Sequence, residues 1–167
     1  DRARAEWGRV LEVKPDDVAT RINLARLDID QGKVDRATEQ FEKILAKDPT
    51  NLVATVGLAA VAQSRKDAQG AERWIKKAVV DHPDSADVRL VQARFYLGER
   101  NFGEAKTAAA EALRLSPKNA AAANTKGLAE LGAGDMAGAI GSFQQAVEFA
   151  PRGGYHSNLA RAYLMDR

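Results

Sequence analysis

The chain has 167 residues, of which 45% are apolar but only 6% aromatic. That is enough apolar material for one domain or one repeat array, provided that small side chains at close backbone distances fill the interior. Lys and Arg number 25 against 23 Asp and Glu, a formal net charge of +2, which leaves no electrostatic footprint for nucleic acid or an anionic membrane surface. Cysteine is absent, which excludes disulfides, thiolate nucleophiles and Cys-based zinc sites. No apolar run approaches the roughly 20 residues that span a bilayer.

The five prolines set the frame. Pro15, Pro49, Pro83, Pro117 and Pro151 follow one another at intervals of 34 residues, and a fixed period of this kind marks a repeat architecture. Position 1 of the repeat is placed three residues after each proline. Position 8 is then Ala25, Ala59, Ala93 and Gly127, and position 20 is Ala37, Ala71, Ala105 and Ala139. Position 24 is Phe41, Ile75, Ala109 and Phe143, and position 27 is Ile44, Ala78, Ala112 and Ala146.

In chain order, residues 2–13 read as a helix with Trp7 at position 24, the second helix of a repeat whose first helix is missing. The chain opens abruptly on Asp1-Arg2 beside that helix and is expected to be a fragment of a longer protein. Asp16-Asp17 stand at the next helix start, where a carboxylate caps free amides and meets the positive end of the helix dipole. Val18, Ile22, Ala25 and Ile29 fall at i, i+4, i+7 and i+11, one helical face, and Gly32 supplies a C-terminal stop, as Gly134 does later. A second helix follows with Ala37, Phe41, Ile44 and Leu45 on one face. It ends at Asp48-Pro49, because proline disfavours helical geometry in the residue before it. Connections this short make the two helices antiparallel neighbours.

The same pair recurs, so complete repeats are expected at 18–51, 52–85, 86–119 and 120–153, after the half-repeat at 1–17. Residues 154–167 give the first helix of a further repeat. There Leu159 lies eight residues after its proline and not nine, which points to a one-residue deletion at Gly153-Gly154. The whole reads as a single array, 1–167, of about ten helices. Neither end looks like the polar cap that repeat arrays need.

Small-8, small-20, bulky-24, small-27 and Pro-32 together resemble the tetratricopeptide repeat (TPR) family over the whole chain. The resemblance implies an all-α fold, a right-handed α-solenoid of antiparallel helix pairs, and a role in binding other proteins and not in catalysis. Two positions depart from the family pattern. Position 4, usually large and apolar, is Arg21, Thr55, Arg89 and Ala123; position 11, usually aromatic, is Asp28, Ala62, Tyr96 and Glu130. Position 7 is Leu24 and Leu58 but then Gln92 and Lys126. These replacements bear on the packing between neighbouring repeats.

Catalytic, metal and cofactor signals are weak. His82 and His156 have no second histidine or carboxylate at metal spacing. Gly132, Gly134, Gly138 and Gly141 lack the preceding strand of a phosphate loop and read as helix stops and close contacts. Trp7 and Trp74 read as packing residues. No catalytic, metal or cofactor-binding residue is expected.

The family resemblance implies that the first helix of each repeat lines a concave face. Positions 2, 6, 9 and 13 form one stripe there, and the expected partner-binding residues are Asn23, Arg26, Asp30, Asp87, Arg94, Leu128, Asn158 and Arg161. Position 9 alternates, with Arg26, Arg94 and Arg161 in odd repeats and Ala60 and Leu128 in even ones. Small neighbours such as Gly57, Ala60 and Gly98 are expected to leave room for a bound chain. The Lys and Asn clamp with which chaperone-adaptor TPRs grip a C-terminal carboxylate is absent: its positions hold Ile22, Arg26, Gly57, Asp87 and Val91 in one frame, and Val56, Ala60, Val91, Ala121 and Thr125 in the next.

The expected partner is therefore a protein or peptide, with no nucleic acid, no membrane insertion of this segment, and end-to-end self-association through the truncated repeats as a further expectation. The Leu-Ala-Arg phrasing also resembles bacterial exosortase- and exopolysaccharide-associated TPR proteins, which favours a periplasmic or envelope setting over a cytoplasmic one. The rival reading is a structural spacer or assembly module within a larger enzyme or secretion machine.

Overall fold

The computed structural model describes residues 2–166. Ten helices follow one another among them: α1 (Arg2–Val13), α2 (Val18–Asp30), α3 (Val34–Lys47), α4 (Leu52–Ser64), α5 (Ala68–Asp81), α6 (Ala86–Gly98), α7 (Phe102–Leu115), α8 (Ala120–Gly132), α9 (Met136–Phe149) and α10 (Gly153–Met165). There is no strand among the described residues. Two compact units divide the helices, Asp1–Asp81 with α1–α5 and His82–Arg167 with α6–α10.

Each full proline turn does three things in four residues. The residue before proline is extended, with φ −131° at Asp48 and −139° at Ser116, as steric pressure from the proline ring demands. The backbone N–H three residues on then closes the turn: Asn51 to the Asp48 carbonyl at 3.1 Å, Ser85 to His82 at 3.2 Å, Asn119 to Ser116 at 3.0 Å. Proline suits the second position of such a turn because its φ is already set. That last residue is also the N-cap of the next helix. Asp17, Asn51, Ser85 and Asn119 each accept a hydrogen bond from the backbone N–H of the third helical residue, satisfying one of the donors that every helix start leaves open. At Pro151 the device is one residue short. α10 starts two residues after its proline, and its N-cap Arg152 makes no side-chain capping bond.

The turn within each helix pair is equally regular. Residues 33, 67, 101 and 135 donate their backbone N–H to the carbonyls of Asp28, Ala62, Tyr96 and Glu130 at 2.7–2.9 Å, and the preceding residue bonds the carbonyl of Ile29, Gln63, Leu97 or Leu131. This is the Schellman arrangement, which needs one residue with left-handed φ. Gly32 (φ 70°) and Gly134 (φ 83°) supply it as expected; Lys66 (φ 59°) and Arg100 (φ 58°) supply it without being glycine.

Positions 8, 20, 24 and 27 are buried in all four helix pairs. In the first unit, Ala37, Phe41 and Ile44 of α3 meet Ala54, Leu58 and Val61 of α4, with Ala25 of α2 in the same cluster. Burying a side chain such as Phe41 or Ile44 contributes roughly 1.5–3 kcal/mol. In the second unit the clusters are smaller and richer in alanine: Ala93 with Ala108 and Ala109, Leu90 with Ala112 and Ala122, and Ala139 and Phe143 with Ala162. Of the apolar face expected on α2, Ala25 is buried and Ile22 and Ile29 pack against the same cluster, while Val18 is exposed. Thr20, Leu24 and Asp28 are buried as well, because α2 packs against α1 and α4 as well as α3 and is covered over more than one stripe.

Candidate functional site

The stripe at positions 2, 6, 9 and 13 has an exposed edge and a buried edge. Arg26 and Asp30 are exposed on α2 in the first unit, as are Asp87 and Arg94 on α6 and Arg161 on α10 in the second. None of the Arg26, Arg94 and Arg161 side chains makes a hydrogen bond or ion pair with another described residue. Position 6 is more enclosed: Asn23 is half-buried and Thr125 is 3% exposed.

Three stripe residues have work inside the fold. Asn158 is half-buried, and its Nδ2 donates to Asn124 Oδ1 of α8 at 2.7 Å. Leu128 is half-buried and packs against the Ala139, Phe143 and Ala162 cluster. The room expected beside Gly57 is taken: a Cβ there would run into the ring of Phe41. Gly98 does face open space.

A second feature lies off the stripe, wholly within the second unit. An open cleft of about 870 Å³ is bounded by α6, α7 and α8. Its charged lining is Arg89, Lys106, Arg114 and Lys126 against Glu104, Glu111 and Glu130. Most of these charges are held. Arg114 makes a two-point contact with Glu111 at 2.8 and 2.9 Å. The hydrogen bond from Arg114, then its charge and that of Arg89, hold the Glu111 carboxyl below the usual glutamate value. Lys126 pairs with Glu130 at 2.9 Å, and Ser142 of α9 joins them, accepting from Lys126 at 3.0 Å and donating to Glu130 at 2.6 Å. Arg89 has no carboxylate bonded to it among the described residues: its Nη1 donates to Gln92 at 3.3 Å, and its Nε, like that of Arg4 in the first unit, is shielded from solvent without a hydrogen-bond partner.

Sequence reasoning did not select these cleft residues, yet the signal was present. Arg89 and Glu130 sit at positions 4 and 11, where this chain departs from the family pattern, and Gln92 and Lys126 at position 7, which is apolar in the first two repeats and polar in the next two. In the first unit the same departures are absorbed internally. Asp28, at position 11, is 1% exposed and takes a two-point contact from Arg4 at 2.5 and 3.3 Å. Arg21, at position 4, commits its guanidinium to Gln40 and the Pro15 carbonyl.

Among the described residues no three His, Asp or Glu side chains group closely enough to hold a metal ion. No helix among them is long and apolar enough to cross a membrane. The described residues form regular helix pairs that recur along the chain and carry charged surface features, the build of a helical-repeat protein.

Sequence models of the tetratricopeptide repeat match residues 28–95 and, separately, residues 1–51 and 90–154. The chain belongs to the tetratricopeptide repeat family, whose repeats form all-α solenoids and mark protein–protein interaction scaffolds. Solved structures agree on the fold. A thermophilic TPR protein of Thermus thermophilus is similar at 23% identity and a TM-score of 0.77, covering 96% of this chain and 89% of that one. The pilF protein of Pseudomonas aeruginosa is similar at 22% identity and a TM-score of 0.80, covering 90% and 69%. YrrB, a TPR protein with an unusual peptide-binding site, is similar at 19% identity and a TM-score of 0.67, covering 96% and 83%.

Proposed function

We propose that the protein binds a peptide segment or helix of a partner protein on the first helices of its repeats, with Arg94 and Arg161 as anchors in the second unit and Arg26 presented at the same repeat position in the first. The carrying observation is that these three arginines, all at position 9, are exposed and their side chains uncommitted to any described residue. A guanidinium presented on a rigid helix offers a planar fork to a carboxylate or a backbone carbonyl. Ala60 and Gly98 keep neighbouring stripe positions small. The likeness to YrrB, itself a peptide-binding TPR protein, supports a peptide as the class of ligand. An envelope or exopolysaccharide-assembly setting belongs to the same reading and rests on the Asn158-Leu159-Ala160-Arg161 phrasing.

The test is calorimetry with the binding segment of a partner recovered by affinity capture. Arg94→Glu is expected to weaken binding by more than the ~1 kcal/mol ceiling of a typical exposed ion pair, because charge reversal adds repulsion in a partly desolvated contact. Arg73→Glu, on an exposed position of α5, is the control and is expected to change little. Equal affinities for the two variants would sink the reading.

A further inference from the structure

The cleft between α6, α7 and α8 lies off the position-9 stripe. We propose that it takes the carboxylate side chain of an acidic peptide segment, received by the guanidinium of Arg89 in a cleft that Lys106 and Lys126 also line.

The repeat supplies an internal control. Arg21 and Arg89 both occupy position 4, 68 residues apart. Arg21 Nη1 donates to Gln40 Oε1 at 2.8 Å, and its other terminal nitrogen bonds the Pro15 carbonyl. Gln40 is at position 23, and position 23 of the Arg89 repeat is Ala108, which lines the cleft. The side chain that satisfies the first arginine is thus replaced by a methyl group beside the second. Arg89 keeps one 3.3 Å bond to Gln92 and a shielded Nε with no partner. A buried polar group left in that state costs free energy that a charged acceptor offsets.

The lining also selects among anions. Four cations and three carboxylates border the cleft, a surplus of one positive charge. Arg114 and Lys126 are paired with Glu111 and Glu130. One carboxylate neutralises the remainder. A phosphate, with close to two charges at neutral pH, would face Glu104, Glu111 and Glu130 with its second charge uncompensated. The open form of the cleft suits a side chain reaching in from a surface-bound segment better than an engulfed small molecule.

The experiment is a nuclear magnetic resonance titration of the ¹⁵N-labelled chain with acetyl-Gly-Glu-Gly-amide. The Arg89 Nε–H signal and the backbone amides of Arg89, Gln92, Ala108 and Lys126 are expected to shift, while acetyl-Gly-Gln-Gly-amide leaves them in place. Ala108→Gln, checked for parent-like helical circular dichroism because Ala108 is buried beside Ala93 and Ala109, is expected to abolish the response without removing a charge, by giving Arg89 the partner that Gln40 gives Arg21; Arg89→Gln is expected to abolish it as well. No shift with the Glu peptide, or a full response in Ala108→Gln, would overturn the proposal. Inorganic phosphate shifting the same signals at lower concentration would overturn the choice of ligand. Arg94→Glu separates this site from the stripe: its response should match the parent, and loss there with retention in Arg89→Gln would move the contact to the stripe and refute the cleft.

Discussion

Lys66 and Arg100 sit where Gly32 and Gly134 sit, at the left-handed residue that closes each helix pair. For a side chain with a Cβ that conformation costs roughly 1–2 kcal/mol, while glycine in its place costs about 0.5–1 kcal/mol through the unfolded chain. The Lys66 side chain makes no bond to another described residue that would offset the strain. Lys66→Gly is therefore expected to raise stability by up to about 1 kcal/mol, read as a higher denaturant midpoint with an unchanged slope. Arg100→Gly should gain less, since the Arg100 guanidinium lies 6.0 Å from the Phe102 ring centre and loses that contact. A lower midpoint for Lys66→Gly would show that the position is not strained.

Among the elements, α2 carries the one first-helix cap that titrates. Asn51, Ser85 and Asn119 cap α4, α6 and α8 with neutral side chains, whereas Asp17 caps α2 with a carboxylate. The hydrogen bonds of Thr20, first through its side chain and then through its backbone N–H, hold the Asp17 carboxyl below its usual value. A depressed carboxyl pKa means that the folded state favours the ionised form. Its contribution is present above the unfolded value of about 3.9 and is lost as pH falls through the lower folded value. Asp17→Asn keeps a capping acceptor and removes the titration. The stability difference between parent and variant should be constant from neutral pH down to about pH 5 and change only below about pH 4. A difference that varies between about pH 5 and 8 would assign it to another group.

At the scale of the molecule, each unit has core clusters made from its own helices. The clusters of the second unit, around Ala93, Ala112 and Phe143, draw on α6–α10 alone. In repeat proteins stability is close to a sum of repeat and nearest-neighbour terms, so a segment retaining several packed neighbours keeps most of its own. Residues 82–167 expressed alone are expected to be helical by circular dichroism and to unfold cooperatively. A fragment without a cooperative transition would show that the contacts inside this unit are insufficient for folding.

The helix pairs were legible in the sequence because their punctuation is local. Proline acts on the residue before it, a capping side chain reaches only three residues ahead, and a left-handed glycine needs only its own backbone. Each is written at a fixed place in a 34-residue period. Small residues at positions 8 and 20 were legible for a related reason, since close approach of two backbones excludes larger ones. What only the tertiary structure decided is the fate of charges at positions meant for apolar side chains. Asp28 is buried because Arg4, 24 residues away, reaches it, and Glu130 because Lys126 and Ser142 do. Arg89 stands at the same register as Arg21 and ends less satisfied, because the residue across from it is Ala108 and not a glutamine. A burial cost is set by the partner that meets the group in space, and no period along the chain states which side chain that partner will be.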